Sequence, residues 1–315
     1  MTRLIVRRLL FIIPTLLVVS LLIFVMEEIV PGDVGREILG PYAPAAQVAA
    51  LDHTLGADKP IVQRYIDWLG GFLTLHWGES PISQQPVFSL TMQRLWNSAQ
   101  LAALALVIII PTSIVLGVIA ALRRDGIADR IITIASLSLT VVPEFVSGAV
   151  LILLFAITLR LFPYPPTIPP GAGPLTRIHY MLLPVIPLMF VELGYIARMA
   201  RAGMIDALAM PYVRTATLKG LSRRRVILVH ALRNALAPTV TVIGTQVGWL
   251  LGGLVVVEKL FIYPGIGYLM YQSATLKDVK VLEATVLVIA AIYMFSNLAA
   301  DVIVALLNPR VRFGR

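Results

Sequence analysis

The chain has 315 residues, of which 58% are hydrophobic and only 14% charged, against roughly 25% charged in soluble proteins. With a mean hydropathy of +0.87, this composition excludes an ordinary soluble domain and requires a membrane protein. The net charge of +9 is read as basic loops at a membrane surface rather than as a nucleic-acid footprint. The absence of cysteine excludes disulfides and thiolate metal sites.

A bilayer core takes about 20 mostly apolar residues as a helix. Six segments meet this: Leu9 to Val30, Leu101 to Leu122, Ile131 to Leu161, Met181 to Ala197, Leu236 to Val257, and Leu282 to Leu307. The first follows "MTRLIVRR", which imitates the basic start of a signal peptide. Its apolar run exceeds that of a signal peptide and no small-residue cleavage pattern follows, so it is read as retained.

The long connection 31–97 contains "DKPIVQRYIDWLGGFLTLHWGES". Ile61, Tyr65, Trp68, Leu69 and Phe72 recur at spacings of three and four, which predicts a helix with one apolar face. Its tryptophans suit the headgroup level or packing over the bundle mouth. In the third segment, "SLTVVPEFVSGAV" places Pro143 and Glu144 at membrane depth. Proline removes an N–H and predicts a kink, and a carboxylate there faces the bundle or water rather than lipid. Glu192 in the fourth segment and Asp301 in the sixth raise the same question. The proline-rich "FPYPPTIPPGAGP" reads as a loop.

Between the fourth and fifth segments runs "YVRTATLKGLSRRRVILVHALRNALAP", residues 212–238. It predicts a helix ending near Gly220 and a second starting at Ser222, a projecting elbow. Seventeen of the 26 Lys and Arg fall in four places: three at the N-terminus, three in the second connection, eight around this elbow and three in the tail. The positive-inside bias then puts both termini and the elbow in the cytoplasm and 31–97 outside.

Catalytic signatures are missing: no G-x-x-x-x-G-K loop, no H-E-x-x-H helix and no G-x-S-x-G turn. His53, His76, His179 and His230 lack metal-ligand spacing. The chain reads as a non-enzyme that binds no metal or cofactor itself. An intramembrane hydrolase would lack a nucleophile and base. A self-contained secondary transporter or channel working through Glu144, Glu192 and Asp301 is the alternative, although such proteins usually carry internal repeats and none is detected here.

The order Y-V-R-T-A, K-G-L-S, H-A-L-R-N-A and a later proline, together with "PGD" (31–33), "LGADKP" (55–60), "YIDWLGGFL" (65–73), "VPEFVSG" (142–148), "LGGLVVVE" (251–258), "YPGIG" (263–267) and "NPRVR", resembles the permease subunits of ATP-binding cassette importers of the dipeptide/oligopeptide/nickel family. The resemblance implies an all-α integral membrane protein with six transmembrane helices of the importer permease type. It divides the chain into tail and first span (1–30), extracytoplasmic segment (31–97), permease core (98–308) with coupling loop 198–235, and cytoplasmic tail (309–315).

It further implies a multi-pass protein of the bacterial inner membrane that moves dipeptides, oligopeptides or a related solute inward. The partners would be a second permease, two ATPases carrying ATP and Mg, an extracytoplasmic binding protein and the bilayer, with no nucleic acid. Tyr212, Arg214, Thr215, Ala216, Lys219, Gly220 and Leu221 match the ATPase-coupling segment, while Pro143, Glu144 and Glu192 are candidates for the path. One departure is Pro211, where the family often has an acidic residue.

Overall fold

The computed structural model describes residues 2–29, 39–40, 42–55 and 59–307. The "PGD" motif, Val30, part of "LGADKP" and the tail 308–315 lie outside the described residues. Among the described residues there are helices and no strand. In chain order they are α1 (Thr2–Ile29), α2 (Ala45–Leu55), α3 (Ile61–Leu73), α4 (Val87–Leu122), α5 (Ile127–Val141), α6 (Glu144–Thr158), α7 (Pro174–Ala209), α8 (Pro211–Leu218), α9 (Arg223–Phe261), α10 (Ile266–Leu276) and α11 (Val279–Leu307). α6 and α9 each contain a π-helical stretch, Ile152–Thr158 and Val226–Ala231.

Among the described residues five helices are long and apolar enough to cross a bilayer: α1, α4, α7, α9 and α11. The third expected span differs. Instead of one kinked helix over 131–161, α5 and α6 meet at a bend of 101°, and together they make a sixth span if both limbs are counted as one. The cause is local. Pro143 disfavours helical geometry in the residue before it, so Val142 turns extended (φ −76°, ψ 119°) and ends α5. Pro143, itself extended at ψ 143°, then starts α6. The fourth and fifth spans are longer than their apolar cores, reaching 36 residues in α7 and 39 in α9.

The described chain forms two compact units. The first comprises Met1–Ile5, Asn97–Tyr268 and Tyr293–Arg315. α7 is its central helix, packed on α5, α6 and α9. Small residues allow this approach: a side chain on Gly194 would meet Ser136 and Thr140 of α5, and one on Gly203 would strike the Ala235 carbonyl of α9 at 2.3 Å. Membrane helices pack closely where Cβ atoms are missing. The main apolar core runs through Leu101, Ile109, Leu188, Ile196, Leu254 and Phe261.

A buried carboxylate organises one end of this unit. Glu258 is fully buried and accepts hydrogen bonds from Ser98 Oγ and from the backbone N–H groups of Gly267 (2.7 Å) and Tyr268 (3.2 Å). Ser98 Oγ also accepts from the Ile266 N–H at 2.8 Å. The start of α10 is therefore capped by residues from α4 and α9. An added Cβ at Gly265 would lie 2.2 Å from the Glu258 carboxyl group, which explains the glycine of "YPGIG". Tyr263 closes the network by donating to the Asn97 carbonyl at 3.0 Å, and burial raises its hydroxyl pKa above the ordinary value.

The second unit comprises Val6–Trp96 and Leu269–Ile292. α3 forms where the spacing predicts, and its apolar face meets α1: Phe24 lies edge-on to Tyr65 at 5.4 Å, and Ser20 and Tyr65 hydroxyls are 2.8 Å apart. No residue of α3 is fully buried. Val87, Leu269, Val281 and Ala284 make a small core bordered by Phe72 and Trp77.

Candidate functional site: a basic elbow and an intramembrane carboxylate pair

The elbow is built by two breaks. α7 stops at Met210, which turns extended (ψ 145°), and Pro211 takes the first helical position of α8, where its missing N–H and fixed φ are suited. α8 stops after two turns. Gly220 adopts φ +75°, its N–H donates to the Thr217 carbonyl (3.0 Å), and the Leu221 N–H donates back to the Ala216 carbonyl (3.4 Å). This is a Schellman stop, which needs a left-handed residue at the glycine position. Ser222 is the N-cap residue of α9 but makes no side-chain cap hydrogen bond.

The predicted coupling residues separate into two sets. Val213 and Ala216 are buried with Met204, Ala207, Val226 and Ala231, and Leu221 packs on the same cluster. Ala216 thus packs inward, and Leu221 is half-buried against the same cluster. Tyr212, Arg214, Thr215, Lys219 and Gly220 are exposed, as are Arg223, Arg224 and Arg225. Leu218, not singled out from sequence, is 81% exposed among these charges.

A second feature missed in the sequence ties α7, just before the elbow, to the turn after α4. Arg201 donates Nε to Asp129 Oδ1 and a terminal N–H to Oδ2, both at 2.6 Å. Asp129 is buried and also accepts from the Asp125 N–H and the Thr133 hydroxyl. Such forked pairing fixes orientation as well as distance. The residues lie 72 apart in sequence, so periodicity could not have linked them.

The path candidates come together within the first unit. Glu144 begins α6 immediately after the bend. Glu192 on α7 is buried and accepts from Gln246 Nε2 of α9 at 2.8 Å. Both carboxylates face α9, Glu192 at Gln246 and Glu144 at Gly253. Gly253 leaves the room: a Cβ there would lie 3.2 Å from Glu144 Oε1. Among the described residues the Glu144 carboxylate accepts no side-chain hydrogen bond. Asp301 lies on α11. No group of His, Asp or Glu suited to a metal ion occurs among the described residues.

An apolar helical bundle with a projecting basic elbow is the architecture of a multi-pass membrane protein. Residues 113–313 match the model of the binding-protein-dependent transport system inner membrane component, and residues 1–102 match the model of that system's N-terminal membrane component. Among similar proteins, a peptide transport system permease protein of Brucella abortus (strain 2308) is 35% identical over 314 residues, 99% of this chain and 100% of its own length. The glutathione transport system permease protein GsiC of Escherichia coli (strain K12) is 34% identical over 309 residues, 98% of each chain. The chain belongs to the inner-membrane permeases of ATP-binding cassette importers, in the dipeptide/oligopeptide family.

Proposed function

We propose that the chain is the translocating subunit for a short peptide or peptide-like solute, driven by ATPase chains that dock on the elbow. The observation that carries this reading is the exposed face of α8: Tyr212, Arg214, Thr215, Leu218 and Lys219 stand out while Val213 and Ala216 hold the helix down. A rigid, shallow knob of this kind transmits motion, because its buried side is continuous with α7 and α9. ATP and Mg act on the partner chains, and a second permease and an extracytoplasmic binding protein complete the assembly. The similarity to permeases named for peptide and glutathione transport supports that substrate class.

In this mechanism Arg201 and Asp129 keep α7 aligned with the α4–α5 turn, so displacement of α8 reaches the bundle. The bend at Pro143 opens α5 from α6, and Glu144 and Glu192 line the route at that level, where a carboxylate is suited to a substrate's amino end. The termini and elbow face the cytoplasm by their basic residues.

The test uses the absence of native cysteine. A single cysteine replacing Thr215 should cross-link to an ATPase subunit in membranes holding the assembled importer, whereas one replacing Ser83 should not. Failure of Thr215→Cys to cross-link in an assembly that still transports would reject docking at α8.

A further inference from the structure

The first turn of α11 and helix α3 border a cavity of about 220 Å³ in the second unit. That is room for about seven waters at ~30 Å³ each, too small for most drug-sized ligands but adequate for a headgroup or an amino acid. Its walls include Trp68, Phe72 and Trp77, with the last two rings stacked at 4.6 Å. Its charges are of both signs: Asp67 on α3, and Lys280 with the buried Glu283 on α11.

The donors are not used up. The Trp77 indole N–H is taken by the Phe72 carbonyl at 2.9 Å, but among the described residues the Trp68 N–H and the Lys280 ammonium have no hydrogen-bond or ion-pair partner. Lys280 Nζ lies beside Gly78, where an added Cβ would be 3.6 Å away. Asp67 is salt-bridged to Lys59 at 2.8 Å. A simple anion would meet Asp67 and Glu283, and a simple cation would meet Lys280. Only a ligand bearing both charges complements both sets, and the indole faces add attraction for an ammonium.

We infer that this cavity binds a small zwitterion, its anionic group on Lys280 Nζ and the Trp68 N–H and its primary ammonium against Asp67 and Glu283. Two sources carry this chemistry. The cavity adjoins the first turn of a candidate span and is rich in tryptophan, as headgroup-level sites are, so a phosphoethanolamine lipid headgroup fits. The termini of a short peptide fit equally. The site shares no residue with the elbow, and its test does not depend on ATPase docking.

The test follows Trp emission from the full chain carrying Trp96→Phe and Trp249→Phe, which leaves Trp68 and Trp77 of the four tryptophans. The protein is placed in phosphatidylcholine nanodiscs. It is titrated with phosphatidylethanolamine in the bilayer and, separately, with glycylglycine in solution. A saturable change with either supports the site, provided that N-acetylglycylglycine gives none and that Lys280→Gln weakens the response about tenfold or more. Asp67→Asn should weaken it too. Both residues are exposed, so neither change threatens folding. A response to phosphatidylethanolamine alone assigns a lipid site, and one to glycylglycine alone assigns a soluble ligand. No saturable change with either probe, or an equal response in Lys280→Gln, overturns the proposal.

Discussion

Replacing Gly220 tests the elbow with little confusion from packing. The residue has φ +75°, and a Cβ built on it meets nothing within 4 Å. Any cost therefore comes from the backbone alone. An L-residue in this region costs about 1–2 kcal/mol; asparagine tolerates it better, and a β-branched side chain tolerates it worst. The expected order of damage is Gly220→Asn, then Gly220→Ala, then Gly220→Val. A cost of about 1–2 kcal/mol changes the ratio of formed to opened elbow about five- to thirtyfold. Trypsin cleavage at Arg223–Arg225 in nanodiscs reads the opened population when opening is faster than cutting. ATP-driven uptake, normalised to permease in the membrane, reads coupling. Cleavage should quicken and uptake should fall in the same order. Equal cleavage in all three variants, or valine behaving better than asparagine, would refute the Schellman stop as the device that holds α8.

Gly265→Ala should be far more damaging than its size suggests, because its Cβ would fall 2.2 Å from the buried Glu258 carboxyl; a loss of at least about 1–3 kcal/mol is expected, seen as a lower unfolding temperature in detergent. Glu144→Gln keeps shape and removes charge, so uptake of substrates with a free amino group should drop while amino-blocked ones are little changed. Equal uptake of both would leave Glu144 a structural role. A cysteine replacing exposed Ser222 should resist an impermeant thiol reagent in intact cells, and one replacing exposed Ser83 should react; the reverse pattern would invert the orientation.

Much of this protein was determined locally and was therefore legible in the sequence. Apolar run length located five of the six expected spans as single helices, since a bilayer demands a fixed length of helix whatever surrounds it. The stop at Gly220 was legible because it depends on backbone geometry alone, whereas the break at Met210 before Pro211 emerged only in the structure. The apolar face of α3 followed from the helical period in the same way. What the tertiary structure decided is the meaning of residues whose partners are distant. The bend of 101° at Pro143 exceeds an ordinary proline kink, because Val142 leaves the helix as well, and both limbs pack on α7 while the second also packs on α9. The bonds of Asp129 to Arg201, of Glu192 to Gln246 and of Glu258 to Ser98 join side chains 72, 54 and 160 residues apart. Ala216 and Thr215 are adjacent in one motif, yet one is buried and the other exposed. Helical rotation turns neighbouring residues to different faces, and only the packing of α8 on α7 and α9 determines which face is left for a partner.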